Sequence, residues 1–180
     1  MCVFDPMGMK GDAFLAARDL RVEMFEHGAD FDLKAYVDER VAVEDFRTGQ
    51  CDAVMATALR TKVYNAFAAS LDAVGASTIV RNGKIDIDAS YDVVRRFIRL
   101  VSTPKAADMM AEGGYEIGGI LPVGAAYMFV SDREFASLTG IVGKKVGAFD
   151  HDKPEAQLIE RMGARPVPVD ISNFGAMFNN

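Results

Sequence analysis

Apolar and polar positions follow two rhythms along the first fifty residues. The opening "CVFD" is a short apolar run with the pattern of a strand, and "DPMGMKG" after it is a turn-rich loop. From Asp12 the apolar positions Phe14, Ala17, Leu20 and Met24 recur at helical spacing, with Asp12 placed to cap the start and Gly28 to stop the helix. "FDLKAYV" switches to period two, setting Phe31, Leu33, Ala35 and Val37 on one face, as in a strand with one wet side. "DERVAVEDFRTG" returns to helical spacing, carries Val41 and Phe46 inward and ends on Gly49; "CDAVMAT" is a continuous apolar run of the kind buried on both faces. Strand, helix, strand, helix, strand predicts a parallel sheet. Ligands of such sheets sit beyond the C-terminal strand ends, here residues 5–11, 38–40 and 57–60.

Further along, Asn82-Gly83 stands between two alternating runs in "STIVRNGKIDID", which predicts a two-residue hairpin over about residues 77–88. "SYDVVRRFIRLV" is an amphipathic helix, and Ser102, Thr103 and Pro104 start another that reaches Met110. From Gly113 the chain becomes glycine-rich and β-prone, with Pro122 in its middle, which suits a passage between lobes whose flanking runs join sheets on either side. A second strand, helix, strand unit closes the chain in "GKKVGAFDHDKPEAQLIERMGARPVPVDISNFGAMFNN", ending on a new helix start. This predicts a first α/β lobe over 1–120, a crossover at 121–132 and the start of a second lobe over 133–180.

Half of the 180 residues are apolar, enough to bury a substantial core and to exclude a disordered chain. The net charge of -6, with Lys and Arg scattered, argues against a nucleic-acid partner, which needs a concentrated basic face. No apolar run approaches the roughly 20 residues of a membrane span, so direct membrane insertion is not expected. Cys2 and Cys51 each head a short apolar run. If those strands are neighbours in a parallel sheet the sulfurs are close enough to bridge, as suits an oxidising compartment; the alternative is two buried thiols.

Several loops carry chemistry. Gly8, Lys10 and Gly11 precede a helix, whose free N–H groups attract an anion beside the Lys10 charge. A plain tight turn is the alternative, because neither the dinucleotide fingerprint nor a phosphate-loop pattern is present. Arg60, after Thr57, is placed to hold a carboxylate bidentately, or else to lie solvated on the first turn of a helix. Asp150, His151 and Asp152 are adjacent and point in different directions, so they make no metal set, and neither His27 nor His151 has an obvious nucleophile to activate.

"CVFDPMGMKGDAF", "FDLKAYVDERVAVEDFRTGQCDAVMATALRTKVYNAFAASLDAVGA", "GGYEIGGILPVGAAYMFVSD" and the closing stretch quoted above resemble the periplasmic solute-binding proteins of Proteobacteria. That group is distantly similar to the extracytoplasmic binding proteins of tripartite, TRAP-type transporters, and the motifs occur in order over most of the chain. The resemblance implies a type II periplasmic binding fold, two βαβ lobes joined by a hinge with a small solute gripped between them. The helix start at Ser172 and Asn173 would then offer N–H donors to the solute. Where the transporter-linked family carries a carboxylate-gripping arginine, after "GKK", this chain has Val146, Gly147 and Ala148. Relatives continue past "FNN" with roughly as much chain again, so the resemblance implies truncation at both ends and an incomplete second lobe.

The expected function is that of a periplasmic receptor, not an enzyme, that captures a small polar solute for a membrane transporter subunit without a metal or other cofactor. The candidate solute contacts are Asp5, Lys10, Gly11, Thr57, Arg60, Tyr127, Asp150, Asp152, Ser172 and Asn173. The alternatives are an α/β enzyme using Asp5 or Asp150 as acid or metal ligand, and an accessory domain of a transport or efflux complex that holds no solute. A second lobe with an uncovered sheet edge predicts self-association.

Overall fold

The computed structural model describes residues 1–73, 78–122 and 128–179. The chain divides into two compact units, Met1–Met55 with Tyr127–Asn180, and Ala56–Ala126.

The first unit begins with β1 (Cys2–Phe4), a single 3-10 turn at Gly8–Lys10, α1 (Asp12–Glu26), β2 (Lys34–Tyr36), α2 (Glu39–Arg47) and β3 (Val54–Met55). The strands form the parallel sheet that the alternating pattern predicts, in the order β2-β1-β3, with Phe4 opposite Tyr36 and Cys2 opposite Val54. Pairing of β1 with β3 brings Cys2 and Cys51 together as a disulfide with a Cα separation of 5.8 Å. The thiol alternative is thereby set aside. The core here is Cys2, Phe4, Tyr36, Ala42 and Cys51, with Val54 and Ile171 packed against it.

Four elements differ from the periodic reading. In β2 the buried residue is Tyr36, while Val37 is 57% exposed. Tyr36 is tolerated inside because its hydroxyl donates to the Asp45 carboxylate on α2. α2 is turned so that Ala42 and Val43 are buried and Val41 is exposed; a methyl side chain lets the helix approach the sheet closely. β3 is a two-residue, half-buried edge strand rather than a doubly covered one, because nothing among the described residues pairs with its outer side. On α1, likewise, Ala17 is buried whereas Leu20 and Met24 are exposed.

The same unit ends with β8 (Lys145–Phe149), α7 (Lys153–Arg161), β9 (Arg165–Val169) and α8 (Phe174–Phe178). β8 and β9 pair in parallel from Lys145 opposite Arg165 to Phe149 opposite Val169. Ala148, Ile159 and Ala164 form their core, flanked by Val146, Ala156 and Met162. The helix start at the end of the chain becomes the five residues of α8.

The second unit holds α3 (Ala58–Thr61), α4 (Ala66–Ala73), β4 (Ile79–Arg81), β5 (Lys84–Asp86), α5 (Ile87–Val101), α6 (Pro104–Met110), β6 (Ala111–Glu112) and β7 (Tyr115–Glu116). β4 and β5 form the predicted hairpin, with Asn82 at φ 53° and Gly83 at φ 72°, the left-handed pair that a tight two-residue turn needs. Asp86 caps α5 by accepting from the Ala89 N–H, and Thr103-Pro104 opens α6. The glycine-rich stretch differs from expectation. Gly113 and Gly114 turn a short β6–β7 hairpin, and residues 117–122 and 128–132 form no strand, so the runs expected to join sheets on either side do not do so among the described residues.

Candidate functional site

The loop after β1 is organised by Asp5, which is 3% exposed. One carboxylate oxygen accepts from the Met7 N–H at 2.8 Å, and the other from the Ala13 and Phe14 N–H groups at 2.9 and 3.1 Å. The latter two donors belong to the first turn of α1, whose N–H groups have no partner within the helix. Asp5 therefore performs the capping expected of Asp12, which instead lies inside the first turn. Gly11 sits against this carboxylate so closely that a Cβ there would stand 1.7 Å from Asp5 Oδ1. An anion at this loop would have to compete with the Asp5 carboxylate, which already takes two of the first-turn donors. Lys10 is exposed at the end of the 3-10 turn.

Beyond β8, Asp152 is the N-cap of α7, accepting from the Glu155 N–H at 3.1 Å, while Glu155 reaches back to accept from the Phe149 N–H at 3.2 Å. This reciprocal arrangement resembles a capping box and fixes the turn between strand and helix. Asp150 lies 2.8 Å from His151 Nδ1, and its N–H donates to the Val169 carbonyl. The His151 ring stacks on Phe149 with centroids 5.8 Å apart. Phe149, Asp150, Asp152 and Lys153, with Pro166 and Pro168 across from them, line a hollow of about 160 Å³ whose wall is mostly apolar and whose rim is charged.

Beyond β9, Asp170 accepts from both the N–H and the hydroxyl of Ser172, at 2.9 and 2.7 Å, and Asn173 Oδ1 accepts from the Asp170 N–H at 2.9 Å. The Asn173 N–H donates to the Asp170 carbonyl. The two N–H groups that the resemblance assigns to a solute are bonded to Asp170 within their own turn.

Thr57 and Arg60 lie in the other unit. Thr57 caps α3, its hydroxyl accepting from the Arg60 N–H at 3.2 Å, and Arg60 is half-buried. Tyr127 falls outside the described residues. Of the predicted contacts, Asp150 and Asp152 are brought to one hollow. Its apolar lining, Phe149, Pro166 and Pro168, was missed, although the alternation in "RPVPV" marks the prolines as lying on one side of a strand.

An electrostatically coupled group lies elsewhere, on β2 and α2. The Tyr36 hydroxyl and the Lys34 ammonium, the latter at 2.9 Å, both donate to Asp45 and hold its carboxyl below the usual range. Burial, then the bond to Asp45, raises the Tyr36 phenol; the bonds to Tyr36 and Asp45 raise Lys34.

The chain is mixed α/β with paired βαβ segments, and its small, charged-rimmed hollow lies between α7 and the β8–β9 sheet. Residues 21–180 match the family model described as solute-binding protein AdeT 1/2, and the chain belongs to that family. It is 45% identical over 178 residues to "Probable solute-binding protein AdeT1" of Acinetobacter baumannii, covering 99% of this chain and 55% of that protein. It is 30% identical over 84 residues to "Probable solute-binding protein AdeT2" of the same organism, covering 47% of this chain and 35% of that one. The chain thus spans about half the length of the first of these relatives and about a third of the second. No solved structure matches it. Among the described residues, no helix is long and apolar enough to cross a membrane.

Proposed function

We propose that this chain is the solute-contacting part of an extracytoplasmic receptor that captures a small polar solute for a membrane transport system. The single observation that carries this reading is the family match across residues 21–180. The geometry that accompanies it is the hollow beyond β8, where Asp150, Asp152 and Lys153 rim an apolar wall of Phe149, Pro166 and Pro168. A few polar groups on an apolar lining are what orient a small ligand. The Cys2–Cys51 bridge supports a periplasmic location, because such bonds persist in oxidising compartments. The finer reading goes with it: a type II periplasmic binding fold akin to that of TRAP-type receptors, its lobes 1–120 and 133–180 joined through a hinge at 121–132. Asp5 is less suited to the acid-base work of an enzyme, since its oxygens are engaged by three N–H groups.

Thermal-shift screening against amino acids, dicarboxylates, sugars and polyamines tests the proposal. A ligand at 100 times its Kd stabilises the folded state by about 2.7 kcal/mol, a readily seen rise in Tm. The expected result is a hit recovered unchanged, whose shift shrinks in Asp150→Asn and Lys153→Ala. Turnover of the hit, or a shift indifferent to both substitutions, overturns this assignment of the site.

A further inference from the structure

The hairpin of β4 and β5 carries a motif that solute binding does not use. Its base is tied to the helix that follows. The Ser90 hydroxyl accepts from the Ile79 N–H at 2.8 Å and donates to the Asp86 carbonyl at 2.7 Å, and Asp86 caps α5. The tip is held by less. Asn82 and Gly83 are exposed, and no hydrogen bond among the described residues engages the Asn82 side chain or the Gly83 N–H. The space around Gly83 is open. Two short paired strands are only marginally stable by themselves, so the tip opens without unfolding the rest of the chain.

We propose that Asn82-Gly83 is a self-modification site, at which the chain converts its own asparagine to isoaspartate and aspartate. The reacting atoms, Gly83 N and Asn82 Cγ, close a five-membered ring. Gly83 N loses its proton to a base in the solvent and bonds to Cγ; the side-chain amide nitrogen takes a proton from water and leaves as ammonia. Water then opens the cyclic imide. Attack at Cγ restores the ordinary backbone with an aspartate, whereas attack at the Asn82 backbone carbonyl carbon leaves the chain running through the side chain, as isoaspartate. One water is consumed, one ammonia is released, and nothing is oxidised or reduced.

The surroundings select this residue and set its rate. Of the five asparagines, Asn82 alone precedes a glycine, whose nitrogen no side chain shields. Asn65 is buried, with its amide donating to the Met110 and Tyr115 carbonyls and its oxygen accepting from Phe67 and Ala68. Ring closure requires Gly83 N to eclipse Cβ about the Asn82 Cα–C bond. The left-handed turn, with φ 53° at Asn82, holds the two far from that alignment. The reaction therefore waits on opening of the tip. Isoaspartate adds a carbon to the backbone, so the two-residue turn no longer sets Arg81 opposite Lys84, and either product adds a negative charge to a chain already at -6.

The test is incubation of the 180-residue chain at mildly alkaline pH, followed by ion-exchange chromatography, peptide mapping by mass spectrometry and enzymatic methylation of isoaspartate. The expected result is an acidic species modified at residue 82, with Asn65 and Asn173 intact, the circular dichroism of the fold retained, and a rate that rises with pH. The free peptide of residues 79–86 should convert faster than the chain, in proportion to the fraction of time the tip is closed. Gly83→Val strains a position at φ 72° and loosens the turn, yet shields the nitrogen, so it should slow conversion on the order of tenfold or more. An Asn82 still intact when the peptide is spent, conversion spread evenly over the asparagines, or an undiminished rate in Gly83→Val overturns the proposal.

Discussion

A methyl group on Gly11 would meet the Asp5 carboxylate at less than half the normal contact distance, with Asp5 itself held by three backbone donors. Neither partner can yield without breaking the first turn of α1. Gly11→Ala should therefore destabilise the chain by about 2–3 kcal/mol, the range of an overpacked buried site, read as a drop in urea midpoint at unchanged m-value. At Asp45, the Tyr36 hydroxyl is the largest cause of the lowered carboxyl and Lys34 the second. A carboxyl held low when folded contributes stability above its ordinary range, and that contribution is lost as pH falls through the lowered value. Tyr36→Phe should move the Asp45 titration upward, towards an ordinary aspartate, in a carboxyl-detected NMR titration; an unmoved titration would assign the effect to Lys34. Neither residue signals its role in sequence. Asp5 reads there as a loop acid at a strand end, and its function depends on N–H groups eight and nine positions further on.

The order of elements was legible because each carries its own period and its own stops: Gly28 and Gly49 after helices, Asn82-Gly83 in a turn, Pro104 and Pro154 at helix starts. Their rotational phase was less so. Val41 and Ala42 are both apolar, and it is the small size of Ala42 against the sheet, not its hydrophobicity, that decides which of them goes inside. Tyr36 displaced Val37 from the interior because a partner on the next helix satisfies its hydroxyl, a relation that spacing within one strand does not contain. The pairing of β1 with β3 has a measurable consequence. The Cys2–Cys51 bridge spans 49 residues, and closing a loop of that size in the unfolded chain is worth about 4 kcal/mol on the chain-entropy account. Reduction, or Cys2→Ser with Cys51→Ser, should lower the melting temperature markedly and reduce amide protection in β1 and β2. Equal protection with and without reductant would show that the bridge adds no constraint.

At the scale of the molecule, the α/β class and the parallel pairing of both βαβ segments followed from the alternation of periods, and membership of a solute-binding family, without its TRAP-type likeness, from motifs spread along the chain. The candidate site was only partly legible. Asp150 and Asp152 could be placed because strand ends are where such sheets meet ligands, but the floor of the hollow comes from Pro166 and Pro168 on the neighbouring strand, whose approach depends on register. Ser172 and Asn173 open the last helix, and a solute there would compete with Asp170 for their donors. The loop after β1 has a further consequence. Asp5 is a guest on a tether a few residues long, so it returns to its three donors without a diffusional search, and dissolved phosphate or sulfate has first to displace it. For such ions the berth is already occupied, and millimolar phosphate or sulfate should leave this corner of the protein unchanged.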